Sequence, residues 1–308
     1  MLPAKLSEWP TLALIGAATA AWSLLIGFYS ELGAWVVCPL AAILVTLQSS
    51  LQHEVLHGHP TRSPAFNEAL IYCSFGLFIP YRRAKSLHLR HHNNDRLTDP
   101  YDDPESFYLA WCDWNQLPSP IRYILKINNT LAGRLLIGPA VSLIGFYGAE
   151  ARLLLSGDRV ALKSWLHHLV GLVVVVTFVT VVGGMPIWLY ALAIAYPGMS
   201  LLMLRTYAEH RAHEHADARS VIVEFCPIFS LLFLNNNLHI VHHTHPRAPW
   251  YELPKMYRSA PEEWQQKNEG YVFKSYFEMA RIYLFKNKEP VVHPMKRRDL
   301  KSGGASAS

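Results

Sequence analysis

Charged residues and cysteines are scarce in this chain of 308 residues, and each scarcity excludes a class of protein. Only 17% of the residues are charged and 51% are hydrophobic, which is too apolar for a disordered or an ordinary soluble chain. The four cysteines (Cys38, Cys73, Cys112 and Cys226) form no C-x-x-C pair, so neither an iron–sulfur centre nor a disulfide framework is expected. The net charge of +5 is modest, and we expect no nucleic-acid partner.

Long apolar runs are abundant instead. A bilayer crossing takes about 20 apolar residues in a helix, and four runs are long enough. They cover about 11–29, 33–52, 165–183 and 185–204. The turns between them, at Ser30–Leu32 and Gly183–Pro186, arrange the four spans as two hairpins. We therefore predict an all-α integral membrane protein with four transmembrane helices.

Three further apolar runs, at 69–80, 135–148 and 221–234, have only about 12 to 14 residues, so interfacial or re-entrant helices are predicted there. The sequence shows no internal repeat, and we predict a single membrane domain over 1–292. The last segment, 293–308, is rich in small and polar residues and is predicted to be a disordered tail.

The distribution of basic residues predicts the orientation. Every Lys and Arg lies within 1–10, 53–164 or 205–308, and neither hairpin turn carries one. The positive-inside rule then places both termini and the long central loop in the cytosol, and we expect the cytoplasmic (inner) membrane. The histidine-rich segments lie on the same side, which predicts a histidine-rich cap on the cytosolic face.

Histidine is the residue in excess, with 16 copies. Eight of them form three motifs: His53 and His57 (H-x-x-x-H), His88, His91 and His92 (H-x-x-H-H), and His239, His242 and His243 (H-x-x-H-H). On a helix, positions i, i+3 and i+4 project from one face, so each motif can present its imidazoles together. Eight nitrogens exceed the usual four ligands of one zinc. An all-nitrogen supply for two metals favours Fe, Cu, Ni or Zn over Mg or Ca.

A ninth metal ligand is predicted just after the fourth span. His210 follows that span as His57 follows the second, whereas His213, His215 and His245 are expected farther from the metals. A ligating imidazole usually donates its other N–H to a carboxylate or carbonyl. Glu54, Asp99, Glu209 and Asn235 are predicted for this supporting role, and Asp95, Asp102, Asp103 and Glu105 are further candidates.

With these motifs, in this order and spacing, the chain resembles the membrane fatty acid desaturase/hydroxylase superfamily of histidine-rich, non-haem di-iron enzymes. The resemblance covers about residues 11–255 and includes the approach Asn235–Asn237 to the third motif. Arg205 and Glu209-His210 are similar to an R-x-x-x-E-H element of several branches. Thr206 departs from the animal acyl-CoA desaturases, which carry an asparagine there, so contacts of the metal through water can differ.

The resemblance implies a bacterial-type fatty acid desaturase that uses two irons and O2 to insert a double bond in a membrane lipid or acyl substrate. Its nine histidines would all be metal ligands, with no separate catalytic residue. Acyl hydroxylation and carotenoid ketolation or hydroxylation are the alternatives within the superfamily. The electrons must come from an external ferredoxin-, rubredoxin- or cytochrome b5-like donor, since the chain has no H-P-G-G haem motif. The basic residues Arg82, Arg83, Lys85 and Arg90 are expected to face an acidic donor or anionic lipid headgroups.

Two other classes of function compete with an oxygenase. His53-Glu54-Val55-Leu56-His57 also matches H-E-x-x-H, the zinc-protease helix in which the glutamate is a general base. An intramembrane zinc metalloprotease would leave both H-x-x-H-H motifs without a role. A metal-buffering or transport protein would need a polar path through the membrane, and no predicted span carries a histidine or carboxylate in its interior.

Overall fold

A computed structural model describes residues 8–93 and 96–295, and helices dominate them. In chain order the α-helices are α1 (Trp9–Gly27), α2 (Tyr29–Leu32), α3 (Ala34–Leu56), α4 (Pro64–Leu70), α5 (Tyr81–His92), α6 (Trp111–Gln116), α7 (Ser119–Asn128), α8 (Leu131–Leu136), α9 (Gly138–Leu155), α10 (Arg159–Thr177), α11 (Ile187–Tyr190), α12 (Tyr196–Glu209), α13 (Pro227–Leu232), α14 (His239–Thr244), α15 (Leu253–Ser259), α16 (Pro261–Lys267) and α17 (Tyr276–Tyr283). Phe178–Val182 and Ala191–Ala195 are π-helical, and Asp217–Arg219 is a 3-10 turn. Two short strands, β1 (Ile222–Val223) and β2 (Val272–Phe273), pair in parallel with Ile222 opposite Val272.

The four predicted spans are confirmed as long apolar helices. They run over Trp9–Gly27, Ala34–Leu56, Arg159–Val182 and Ile187–Glu209. The third begins earlier than the sequence predicts because the side chain of Asp158 caps it, accepting the N–H groups of Val160 and Ala161 at 2.8 Å. The second continues past the apolar run to Leu56, so it includes His53 and is followed directly by His57, the two histidines of the first motif.

Close contact between α3 and α12 fixes the core of the membrane region. A Cβ atom at Gly198 would lie 2.7 Å from a side-chain carbon of Val45 and 2.9 Å from the Ala42 carbonyl oxygen. The Thr46 hydroxyl donates to the Gly198 carbonyl oxygen at 2.9 Å. Small residues allow such close packing in lipid, where helices gain little from the hydrophobic effect. The two helices that end at His57 and His210 are thereby held side by side.

Two of the three short apolar runs differ from the predicted helices. In 69–80, α4 ends at Leu70 and the rest is a loop among the spanning helices. The Gln48 side chain hydrogen-bonds to the backbone of this loop: it donates to the Cys73 carbonyl oxygen and accepts from the Phe75 N–H at 2.7 Å. The Phe75 ring stacks on Trp22 with 4.1 Å between the ring centres. An apolar run of this length can be a buried loop as well as a helix, because side-chain and backbone partners elsewhere decide its structure.

The run 221–234 is also not a single helix. Its β-branched start forms β1, which pairs with β2 from the C-terminal region, and only Pro227–Leu232 is helical. The third run, 135–148, does lie mostly in a helix, α9. Exposed Leu136 and Ile144 suit an interfacial position for this part of the chain.

A buried ion pair fastens α5 to α9. Arg83 Nε lies 3.0 and 2.9 Å from the two Glu150 carboxylate oxygens, and its Nη2 donates at 2.8 Å. The Trp165 indole N–H also donates to this carboxylate, at 3.0 Å. The prediction that Arg83 faces a partner or lipid headgroups is therefore wrong, because its charge is buried against Glu150.

The predicted C-terminal tail begins with an ordered residue. His293 is buried and its backbone N–H donates to the Leu109 carbonyl oxygen at 2.9 Å. The part of the predicted tail from 296 to 308 lies outside the described residues. The single domain over 1–292 stays a prediction.

Candidate metal centre

The nine histidines that the sequence singles out lie together in two groups. The five-histidine group consists of His53, His57, His88, His92 and His242. The four-histidine group consists of His91, His210, His239 and His243. Within each group, one potential ligand atom from every residue lies within 4.8 Å of those of the others.

Helical periodicity explains how three motifs supply two groups. His88 and His92 lie one turn apart on α5 and enter the five-histidine group, while His91 enters the other. Helix α14 does the reverse, sending His239 and His243 to the four-histidine group and His242 to the five-histidine group. Each of these two helices therefore contributes histidines to both groups. The groups adjoin at His92 and His243, whose rings stack with 4.1 Å between their centres.

Hydrogen bonds fix the orientation of three rings. His88 Nδ1 lies 2.9 Å from a Glu105 oxygen, His91 Nδ1 lies 2.8 Å from Asp103 Oδ1, and His239 Nδ1 lies 3.0 Å from the Asn236 side-chain oxygen. Because each of these oxygens accepts, each Nδ1 must carry the proton. The Nε2 atoms of these rings then present lone pairs, which is the arrangement that metal sites use.

The five-histidine group has buried nitrogens without a hydrogen-bond partner in the part of the chain that the structure describes. The Nε2 atoms of His53, His57 and His88 are buried and have no hydrogen-bond partner among the described residues. A buried polar atom without a partner costs free energy, commonly about 1–3 kcal/mol. A cation bound between these atoms would remove that cost, and the all-nitrogen set suits iron or another transition metal.

The four-histidine group is equally unsuited to stand without a cation. His210 Nε2 lies 3.1 Å from His91 Nε2 and 3.0 Å from His239 Nε2. Both of those neighbours present lone pairs, and a single N–H on His210 can face only one of them. In addition, His243 Nε2 lies 3.0 Å from His239 Nε2. The residues present therefore fit a metal in each group.

Burial keeps most of these imidazoles in the neutral form that binds metals. It lowers the pKa of His57 to about 3, with the nearby charge of His88 adding to the effect. Burial likewise holds the pKa values of His210, His239, His242 and His243 well below their usual range. Burial would also lower the pKa of His91, but its hydrogen bond to Asp103 together with the negative charges of Glu105, Asp103 and Glu209 outweighs this and raises it. Protons thus compete weakly at most of these nitrogens.

The family model described as "Fatty acid desaturase" matches residues 30–275, a range that contains all nine histidines. This chain belongs to the fatty acid desaturase family. It is an integral membrane oxidoreductase of the desaturase/hydroxylase superfamily. Among curated proteins, none matches the chain significantly.

Of the supporting residues predicted for this member of the family, Glu209 lies closest to the histidine groups. Its Oε1 accepts from the Asn236 amide at 3.2 Å, and it lies 2.8 Å from Arg205 Nε and 3.6 Å from His239 Nδ1. Asn236, rather than the predicted Asn235, contacts His239. Asn235 has a positive φ of 57° and turns its amide to the Trp250 carbonyl oxygen at 2.9 Å.

Glu54 and Asp99 support other parts of the structure. Glu54 accepts the Trp250 backbone N–H at 2.9 Å and belongs with Glu8 and His59 to a separate buried group. Its Oε1 also lies 3.8 Å from His59 Nε2, and Glu54 belongs to neither histidine group, whereas the general base of a zinc protease faces the metal. Asp99 closes its own loop by accepting the N–H groups of Tyr101 at 2.9 Å and Asp102 at 3.2 Å.

The remaining carboxylates and histidines considered in the sequence analysis, where the structure describes them, either contact a histidine group or lie away from both. Asp103 and Glu105 bond to histidines of the two groups, as described above, whereas Asp102 pairs with Arg96 at the surface. Asp95 lies outside the described residues. His213 and His215 lie beside Glu269 in an exposed cluster, and the His245 ring faces Trp264 at 6.1 Å. None of these three histidines belongs to either metal group.

A cleft of about 220 Å³ leads from the surface to the two histidine groups. Ala216, Asp217 and Lys267 are among the residues of its rim. His92 and His243, the two rings that stack between the groups, line its inner part together with His91. The cleft thus connects solvent to the boundary between the groups.

Proposed function

We propose that this protein is an O2-dependent fatty acid desaturase that inserts a double bond in an acyl chain with two irons, one in each histidine group. The observation that carries the proposal is the convergence of nine histidines into groups of five and four within the family-matched region. Desaturation is our first choice within a superfamily that also contains hydroxylases and ketolases.

Bound iron would supply the oxidation, in which O2, two electrons, two protons and two vicinal hydrogens of the acyl chain become two water molecules and a double bond. The protein's own contribution is orientation. Asp103, Glu105 and Asn236 hold three imidazoles with their lone pairs directed inward. The apolar spans beneath place the centre next to the lipid phase, where acyl chains partition.

Electrons for this reaction are proposed to come from a separate ferredoxin-, rubredoxin- or cytochrome b5-like protein. The motivation is that the four cysteines are scattered in the sequence and form no C-x-x-C pair. The cleft that reaches His92 and His243 is the route we propose for O2 and for electron transfer from such a donor.

The proposed orientation places both termini and the metal centre in the cytosol, at the cytoplasmic membrane. The motivation is the absence of Lys and Arg from the turns at Ser30–Leu32 and Gly183–Pro186. A reporter fused after Ser308 that is active only outside the cytosol should be silent, and one inserted at Glu31 should be active. The opposite pair of results would reverse the topology and separate the centre from a cytosolic donor.

Total fatty-acid mass spectrometry of cells expressing the protein tests the reaction. We expect acyl species lighter by two hydrogens that are absent from cells expressing His242→Ala at an equal level. Acyl species heavier by one oxygen atom would indicate hydroxylation. Unchanged acyl chains together with oxidised carotenoids, in a host that makes them, would indicate a carotenoid oxygenase instead.

A further inference from the structure

The C-terminal segment 284–293 packs beside the four-histidine group, although it follows the family-matched region. Its backbone is bonded to two separate parts of the chain. The N–H of Ala132 donates to the Leu284 carbonyl oxygen and the N–H of Leu109 donates to the Val291 carbonyl oxygen, both at 2.9 Å. Asn287 also forms an antiparallel bridge with Thr130. We call 284–293 the C-terminal strap.

His210 differs from the other histidines of its group in how it is held. It lies just beyond the end of α12 in an extended conformation, with φ −128° and ψ 149°. The rings of His91 and His239 are oriented by hydrogen bonds of 2.8 and 3.0 Å to side-chain oxygens. The His210 ring instead has a long contact of 3.5 Å to the Ser220 hydroxyl and a hydrogen bond with the Arg219 backbone, and Ser220 forms an antiparallel bridge with the backbone of His210 itself. The position of its imidazole therefore depends chiefly on its backbone.

Lys288 of the strap contacts that backbone directly. Its Nζ donates to the His210 carbonyl oxygen at 2.6 Å and to the Tyr271 hydroxyl at 2.7 Å. Tyr271 in turn donates to the Ala208 carbonyl oxygen at 2.6 Å. The last carbonyls of a helix lack partners within it, so these two side chains cap α12 at the point where His210 leaves it.

The neighbouring strap residue holds the next part of the same segment. A Glu289 carboxylate oxygen accepts the Ala212 N–H at 3.0 Å, and the Glu289 carbonyl oxygen accepts from the Asn129 amide. The Lys288 Nζ also lies 5.4–5.8 Å from the ring centres of Phe107, Tyr207 and Tyr271. An amine placed among aromatic faces has little freedom to move. The strap thus holds His210–Ala212 at both ends.

We propose that Lys288 is a positioning residue that sets the place of the His210 imidazole in the four-histidine group through its bond to the His210 carbonyl oxygen. The role rests on the proposed metal centre. It assigns a function to a segment that the family match does not include. Lys288 itself does not touch the metal or the substrate in this role.

The sign of the effect separates positioning from simple electrostatics. By Coulomb's law, loss of the Lys288 amine should leave metal binding unchanged if the amine is neutral and tighten it if the amine is charged. Loss of a partner that orients a ligating histidine weakens it, typically by about 10- to 100-fold. Lys288→Met retains an unbranched apolar stem that reaches as far as the lysine Cε and removes the Nζ donor. Lys286→Met, the same change at an exposed residue of the strap, is the matched control.

The experiment titrates purified protein in detergent with Co²⁺ in competition with a chelator, and follows the visible absorption of the bound metal. For the wild type and Lys286→Met we expect two Co²⁺ per chain with unchanged affinities. In Lys288→Met one of the two should bind about 10- to 100-fold more weakly with a shifted absorption spectrum, while the other is unchanged. Lys288→Arg, which keeps a donor, should restore most of the loss. Size-exclusion chromatography shows whether each variant is folded.

Two further results would overturn the assignment in different ways. If Lys288→Met binds both metals as tightly as the wild type with the same spectrum, Lys288 has no positioning role, although the metal centre stands. If the wild type binds no Co²⁺, the metal centre and this role fail together. Should Lys288→Met not fold, Lys288→Gln provides the second test, since its amide nitrogen ends one bond short of the lysine Nζ that donates to the His210 carbonyl oxygen. An unchanged affinity and spectrum in that variant refutes the role of Lys288.

Discussion

Replacing Asp103 by asparagine should disable one metal site without removing any histidine. Asp103 and His91 are both buried, with about 1% of each side chain exposed. The carboxylate accepts three hydrogen bonds: from His91 Nδ1 at 2.8 Å, from the Glu105 N–H at 2.9 Å and from the Thr98 N–H at 2.7 Å. An aspartate can accept all three, whereas an asparagine has one oxygen and one donor group.

Either orientation of the asparagine leaves a conflict. If its oxygen faces His91, its NH₂ group meets the Thr98 N–H. If its NH₂ group faces His91, the imidazole proton must move to Nε2, where it blocks the metal. A buried hydrogen bond to a charged group contributes about 1.5–3 kcal/mol. We therefore expect metal affinity at the four-histidine group to fall by about 10- to 100-fold, which is roughly 1.4–2.8 kcal/mol.

Metal–chelator competition on Asp103→Asn measures this loss, and fatty-acid analysis shows whether the product falls with it. Asp102→Asn is the matched control, because Asp102 is the next carboxylate but pairs with Arg96 near the surface, where exposed ion pairs contribute about 0–1 kcal/mol. Full affinity for two metals in Asp103→Asn would refute the argument that this carboxylate sets the tautomer of His91.

Three further substitutions test the site and the fold. His210→Ala should reduce the bound metal from two per chain towards one and abolish turnover. His213→Ala, His215→Ala and His245→Ala should keep both metals, as measured by metal analysis of the purified proteins. The reverse pattern would show that the ninth ligand is misassigned. Arg83→Met should lower the free energy of unfolding by about 3–5 kcal/mol, because Glu150 stays buried without its partner. Arg82→Met, which breaks a half-exposed pair with Glu68, should lower it by less than about 1 kcal/mol. Equal losses of unfolding free energy in the two variants would contradict the burial argument. Gly198→Ala should lower the free energy of unfolding by about 1–3 kcal/mol, because the new methyl group would overlap Val45 and Ala42. At Gly16 in α1 a methyl group has no atom within 4 Å, so Gly16→Ala should be neutral or stabilising. Equal melting temperatures of the two variants would exclude the close contact of α3 with α12.

The spans and the set of clustered histidines were predictable because both are signals of local periodicity. An apolar run long enough to cross a bilayer has few alternatives, and H-x-x-x-H on a helix brings its two rings together wherever the helix packs. His210 was predictable from its distance to the end of the fourth span. Its ligation of a metal, like that of the other eight, stays a prediction.

The division of the histidines between the two groups was not predictable. His91 and His92 are neighbours in sequence but belong to different groups, and His242 is separated in the same way from His243. That division depends on how α5 and α14 lie relative to α3 and α12, which only tertiary packing decides. The adjacent Asn235 and Asn236 show the same limit, since a positive φ at Asn235 turns its side chain away.

Glu54 illustrates how a motif can mislead. The letters H-E-x-x-H suggested a catalytic or supporting carboxylate, yet the structure uses Glu54 to fasten the Trp250 backbone. Asp103 and Glu105, in contrast, lie 12 and 17 residues beyond their histidines along an irregular loop. No short-range pattern distinguishes them from the surface carboxylate Asp102, so the sequence indicates only a set of candidates.

The iron content of the purified protein tests the central claim most directly. After anaerobic reconstitution with Fe²⁺ and removal of loosely bound metal, we predict two irons per chain in the wild type. His242→Ala should lose the iron of the five-histidine group, and His239→Ala the iron of the four-histidine group. A wild type that holds a single metal, lost in His53→Ala but retained in His239→Ala, would contradict a two-iron centre.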